Sequence, residues 1–202
     1  MAIEAELDGL ARRLVPRAGR ARAIMLVPLS AQAGASRVAQ GLATASTSVT
    51  GRPVWLYDLD FASNRQASSV HLNGEAFAGE LGGLRFWRAE PDGAGRLALR
   101  RRVDAPVYVS RFEREQGGVR RVVFHAANGS WQKARQACGL VIVDAPFQSS
   151  SLSAVAADMD GVILVADTRH DGRANAEAMA DQIEAAGGRV LGVVLDSAGS
   201  SR

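Results

Sequence analysis

The chain predicts an α/β fold in which a mostly parallel β-sheet carries helices on both faces. Short apolar runs of strand length recur at 23–27, 54–57, 140–143, 162–165 and 190–195, each apolar on both faces as a fully buried strand would be. Segments of helical period lie between them, the alternation expected of parallel strands joined by crossover helices. Two of the runs end in acid, at Asp58 and Asp144, and in a parallel sheet ligands sit beyond the carboxyl ends of the strands.

Composition sets the frame. With 202 residues, 47% hydrophobic and 22% charged, the chain has the make-up of an ordinary globular protein, long enough for one full core. It contains no linker-like stretch and no internal repeat, so residues 1–202 are expected to form a single domain, of which 1–22 are an N-terminal helix and connector. The apolar runs are far shorter than a membrane span, and Glu4, Glu6 and Asp8 stand where a signal peptide would be basic and then apolar, which predicts a cytoplasmic protein. Cys138 is the single cysteine and reads as a small core residue. The net charge is +3, and Lys133 is the only lysine. Arginine pairs and runs at Arg12/Arg13, 100–102 and Arg120/Arg121 would suit an anionic partner, but no nucleic-acid motif and no interleaving of aromatics accompanies them, which argues against nucleic acid.

Taken in order, Ile3, Leu7, Leu10, Ala11 and Leu14 mark an amphipathic N-terminal helix ended by Pro16, with a basic connector over 17–22. The apolar face of this helix, with Arg12 and Arg13 beside it, is the first candidate for a partner contact. The first strand leads through a loop of small residues to a close-packing helix carrying Val38, Leu42 and Ala45, which Gly51-Arg52-Pro53 stops. The second strand runs into Asp58-Leu59-Asp60, a pair that could equally serve a turn or a helix cap. Residues 61–136 are the least regular. The runs at 84–89 and 97–100 flank the turn-rich Pro91-Asp92-Gly93-Ala94-Gly95, as in a hairpin or an irregular excursion. Strands at 107–109 and 119–124 are placed at a sheet edge, and Asn128-Gly129-Ser130 opens a short helix through Lys133 and Ala137. A buried strand ending at Asp144, a helix over 151–159, a second buried strand, a helix over 174–186 stopped by Gly187-Gly188 and a final strand complete the chain.

The loop after the first strand carries the chemistry. A phosphate-binding loop of the form GxxxxGK[ST] uses glycines to turn backbone N–H groups towards phosphate, a lysine to reach the terminal phosphates and a hydroxyl to hold Mg²⁺. Gly34 and Ser36 occupy the second glycine and the hydroxyl positions, but Ala35 replaces the lysine and Leu29 the first glycine. Arg37 lies two positions beyond the lysine slot, so its guanidinium would have to fold back to substitute.

In order and spacing these pieces resemble the deviant-Walker P-loop ATPases of the MinD/ParA group. Within that group they are most similar to the cytoplasmic domain of bacterial tyrosine kinases (BY-kinases) that work with polysaccharide co-polymerases. Ser30-Ala31-Gln32-Ala33-Gly34-Ala35-Ser36-Arg37-Val38-Ala39 keeps the frame of the first family motif with its key side chains replaced. Gly51-Arg-Pro-Val54-Trp-Leu-Tyr-Asp58-Leu-Asp60 is similar to the second, Val141-Ile-Val-Asp144-Ala-Pro146 to the third, and Leu191-Gly-Val-Val-Leu195 to the closing strand. The resemblance implies a P-loop NTPase-like fold and a degenerate nucleotide site: Gly34, Ala35, Ser36, Arg37 and Asp196 at the nucleotide, with Asp196 where the family has a base-holding asparagine. It also implies Asp58, Asp60 and Asp144 as remnants of the catalytic set, and Ser36, Asp58 and Asp144 as Mg²⁺ ligands if magnesium is retained.

The departures set the functional expectation. Without the lysine, a large electrostatic contribution to phosphate binding and transfer is missing. The chain ends without a tyrosine cluster, its only tyrosines being Tyr57 and Tyr108, and the family's ring-forming Glu-x-x-Arg-x-x-Arg spacing is not met around Glu6, Arg12 and Arg13. The favoured reading is a pseudo-ATPase, binding no nucleotide or only weak ATP/ADP with Mg²⁺, that docks as a regulatory partner on a membrane polysaccharide co-polymerase in exopolysaccharide or capsule export. It would be peripheral to the inner membrane through that partner, with a homo-oligomer left open. An atypical ATPase or tyrosine autokinase using Arg37 is the first alternative, and a MinD/ParA-like positioning or pilus-assembly pseudo-ATPase the second.

Overall fold

The computed structural model describes residues 2–16, 18–80, 83–115 and 118–196. Arg17 of the connector and the tail beyond Asp196 lie outside the described residues. The strands β1 (Ala23–Pro28), β2 (Val54–Asp58), β3 (Leu72–Ala78), β5 (Gly95–Arg102), β6 (Val107–Arg114), β8 (Leu140–Asp144), β9 (Gly161–Asp167) and β10 (Val190–Asp196) form one sheet in the order β10-β9-β1-β8-β2-β6-β5-β3. From β10 to β6 every pairing is parallel, and β5 and β3 extend the sheet antiparallel. The five strands expected from the apolar runs all lie in the parallel part, and β1 sits between β8 and β9 with every residue buried.

A strand period of two sorts β1 between two cores. Ile24 and Leu26 face Val38, Leu42 and Ala43 of α2 (Ala35–Thr50), while Met25 and Val27 face the opposite cluster, which contains Trp55, Tyr57, Trp131 and Ile183. Each large side chain fully withdrawn from water contributes roughly 1.5–3 kcal/mol, so burial on both faces makes this frame the stable part of the molecule. Helix α2 ends where Gly51 takes a left-handed φ of 60° and donates its N–H to the Thr47 carbonyl, the stop that Gly51-Arg52-Pro53 predicts.

Helix α1 (Ala2–Leu14) lies on α2. Leu7 sits over Gly41, where a Cβ would crowd it, and Ala11 and Leu14 are buried, so the apolar face expected to meet a partner is covered by the protein's own second helix. Arg12 and Arg13 stay exposed.

The irregular middle differs from the sequence expectation. The runs on either side of Pro91–Gly95 do not pair with each other: β4 (Trp87–Glu90) pairs antiparallel with β7 (Arg121–Phe124) in a separate two-stranded sheet, and β5 pairs with β6 and β3. The hairpin lies instead between β5 and β6, where Arg102 makes a two-pronged contact to Asp104 in the connecting turn. The choice is made by distant packing. Phe61 stacks on Phe112 and meets Trp87, while Phe86 stacks on Trp131, so an aromatic cluster from four parts of the chain holds the small sheet against the large one. Helix α4 (Asn128–Ala137) follows; its N-cap is Ala127, whose N–H donates to Asp158, so Asn128 lies inside the first turn rather than before it. The helix expected over 151–159 is α5 (Ser151–Val155) continued by one 3₁₀ turn, Ala156–Asp158. Helix α6 (Arg173–Ala185) precedes β10.

Candidate functional site

The loop between β1 and α2 opens at the carboxyl edge of the sheet. Gly34, the N-cap of α2, adopts φ 69° and ψ 21°, the left-handed region in which glycine carries no steric cost. Its carbonyl accepts the Arg37 and Val38 N–H groups. The earlier first-turn donors, Ala35 and Ser36, therefore point out of the helix end, the geometry that attracts an anion.

Facing this helix end are the carboxyl ends of β2 and β8. Asp58 and Asp144 are register partners on the two adjacent strands. Both are buried, and their roles differ. The Asp58 carboxylate accepts the Asp60 N–H at 2.8 Å through Oδ1 and the Gln66 N–H at 2.8 Å through Oδ2, thereby tying the strand end to the first turn of α3 (Arg65–Ser68). The helix-cap role open from the sequence is thus filled. Asp60 accepts from the backbone and hydroxyl of Ser63 in the same turn.

Asp144 is less complete. The Gln66 amide nitrogen donates to its Oδ2 at 2.6 Å and also to the Ser36 carbonyl at 3.0 Å, bracing β8, α2 and α3 against one another. Its Oδ1 is buried without a hydrogen-bond partner among the described residues. Burial, the largest influence, pushes the Asp58 carboxyl up to about 7, opposed by the Gln66 N–H and reinforced by Asp144. Burial likewise raises Asp144, against the Ser36 hydroxyl and the Gln66 amide, so Ser36 acts on this carboxyl without closing a bond to Oδ1.

These groups line one cavity of about 340 Å³. Of the sequence-derived site residues, Gly34, Ala35, Ser36, Asp58, Asp60 and Asp144 border it. Arg37 and Asp196 do not. They form an ion pair with each other behind Gly34, whose missing Cβ leaves the room that the Asp196 carboxylate occupies. The guanidinium that the enzymatic alternative would use in place of the lysine is therefore turned towards the end of β10. Lys133 is on α4 and does not border the cavity either.

Two residues unmarked in the sequence belong to the site: Gln66, the buried brace, and Arg65, which lines the cavity from α3. No motif announces them. Only the sharp turn after Asp60, with Asn64 at a left-handed φ of 47°, brings them back over the strand ends.

The donor set suits a magnesium ion that keeps most of its waters, because such an ion needs only one or two carboxylates, and an orphaned Oδ1 beside a serine hydroxyl offers that. Phosphate would meet the open amides of α2 but no lysine. Asp144 and Ser36 are the residues that would hold the metal, which would supply charge neutralisation at the phosphates.

No protein-family model and no curated protein sequence matches this chain. Solved structures do. The chimerical protein CapA2B2 matches with a TM-score of 0.63 at 16% identity over 95% of this chain and 83% of that one. The kinase domain of the Escherichia coli tyrosine kinase ETK matches at 0.59 and 16% over 87% and 67%, and the VpsO kinase domain at 0.58 and 15% over 97% and 91%. The chain shares the fold of these proteins, the ETK and VpsO kinase domains among them.

Proposed function

We propose that this chain is a kinase-fold protein whose nucleotide site has lost phosphoryl transfer and that acts as a docking and regulatory partner of a membrane polysaccharide co-polymerase in exopolysaccharide or capsule export. The observation that carries the loss of chemistry is the pairing of Arg37 with Asp196 beside an alanine in the lysine slot: the loop sends no positive side chain into the cavity. Asp58 supports the same reading, since both of its oxygens are engaged by backbone N–H groups. The partner class follows from the resemblance of the motifs to kinases that work with co-polymerases. Among the described residues no helix is long and apolar enough to cross a membrane. In this reading membrane association is peripheral and passes through the partner.

The test is turnover. Purified full-length protein incubated with ATP and Mg²⁺ is expected to release no phosphate above a protein-free control and to gain no phosphotyrosine. Hydrolysis by the wild type that disappears in Asp58→Asn would sink the proposal and restore the autokinase alternative.

A further inference from the structure

Among the described residues that line the carboxyl-edge cavity, Arg65 is the one with a positively charged side chain. The neighbouring cations are engaged elsewhere: Arg37 on Asp196, Arg114 on the Phe61 and Ala62 carbonyls, Arg169 on Asp167. The Arg65 side chain is exposed; beyond its backbone carbonyl, which accepts the Ser69 N–H, the interaction it makes is the attraction of its guanidinium for Asp144, whose carboxyl it lowers.

Its backbone is nevertheless fixed on both sides. The Asn64 side chain donates to the Phe112 carbonyl at 3.0 Å and accepts the Phe112 N–H at 2.6 Å, locking α3 to β6. Gln66 is buried and locks it to Asp144 and the Ser36 carbonyl, in the first turn of α2. An exposed guanidinium on a braced backbone, attracted to Asp144, thus borders the same cavity as the open α2 amides. A second sign of a ligand is Asp144, which borders the same cavity and whose buried Oδ1 has no hydrogen-bond partner among the described residues.

We propose that Arg65 is the phosphate-holding cation of this site and replaces, from the turn after β2, the lysine missing from the loop after β1. The ligand class is a phosphate ester or anhydride that arrives with a divalent cation, because a bare anion would face Asp58, Asp60 and Asp144 uncompensated, whereas a magnesium complex gives the free oxygen of Asp144 something to bind. Guanidinium suits the role: its planar fork grips two phosphate oxygens and its charge does not titrate away. This inference rests on the reading of the cavity as a former nucleotide site, and it deepens that reading by making the site one that still binds.

The experiment is calorimetric titration of the full chain with MgADP, for the wild type, Arg65→Ala, Arg65→Lys, Arg37→Ala and Arg65→Ala combined with Ala35→Lys. The wild type is expected to bind, and Arg65→Ala to lose on the order of tenfold or more in affinity, the worth of a charge-assisted contact. Arg65→Lys should lose less, and Arg37→Ala less than threefold. Ala35→Lys should restore binding to Arg65→Ala, since it returns the charge from the other side of the cavity. Thermal melts check that each variant is folded. Wild-type affinity in a folded Arg65→Ala, an equal loss in Arg37→Ala, or no binding by the wild type at millimolar MgADP overturns the assignment. Phosphate release measured on the same samples separates the two ideas: turnover would refute the loss of chemistry while leaving the ranking of arginines to decide the role of Arg65.

Discussion

The Asp58 carboxyl, raised to about 7 by burial and by Asp144, holds its proton in the folded chain across a range in which an unfolded aspartate, near 3.9, has lost it. Between those values the native state binds more protons than the unfolded state, so stability falls as pH rises and levels off above 7. Asp144 is shifted in the same direction and adds the same sign. Asp167, held low by Arg169, acts only below this window. Urea denaturation is expected to give an unfolding free energy roughly 2 kcal/mol higher at pH 5 than at pH 8, with the slope reduced in Asp58→Asn. A flat or rising profile would mean that the carboxyls stay ionised in the fold. Gly34 makes a second prediction at this scale. Gly34→Ala meets both a left-handed backbone and the Asp196 carboxylate, and is expected to lower stability by about 1–3 kcal/mol. Adding Asp196→Ala removes the collision, so the double variant should fall short of additivity; strict additivity would contradict the contact.

Helix α3 has four residues, too few to persist through its own hydrogen bonds, so it depends on its clamps. Gln66→Ala takes away one amide that serves Asp144 and the Ser36 carbonyl together, leaving buried acceptors without donors at a cost of about 1–3 kcal/mol. Hydrogen exchange should locate the damage: faster exchange at the Gln66 and Ser69 amides and little change in β1 or β8. Uniform acceleration across the sheet would show that Gln66 supports the whole fold instead of the strand-end turn. Helix α1 is the opposite case. Its period over Leu7, Leu10, Ala11 and Leu14 is plain in the sequence, but the face it buries had no address until Gly41 was seen beneath Leu7.

Docking is a property of the whole molecule. With the apolar face of α1 on α2, two of the surfaces still open to the proposed co-polymerase are the exposed Arg12 and Arg13 and the cavity rim, where Phe147 is 38% exposed. Under the proposed function, the chain is expected to sediment with membranes only when a partner co-polymerase is co-expressed. Replacing both Arg12 and Arg13 by Glu should reduce the membrane fraction without changing the melting temperature. If that double variant sediments like the wild type while Phe147→Ala does not, the contact belongs to the carboxyl edge.

By itself the sequence determined the parallel frame, because strands buried on both faces must be apolar throughout, and Ala23–Pro28, Leu140–Asp144 and Gly161–Asp167 show that without reference to anything distant. It also determined that Ala35 stands where a phosphate-binding motif would have its lysine, since that is an identity and needs no geometry. The tertiary structure alone decided the pairing of 61–136, where β3 is an exposed edge strand with little apolar pattern and β4 finds β7 across thirty residues through aromatic packing. It alone decided the charges at the site as well. Arg37 is adjacent to the loop in sequence yet is drawn to Asp196, while Arg65 is distant and reaches the cavity, because a turn and two side-chain clamps, not chain spacing, set where a guanidinium ends.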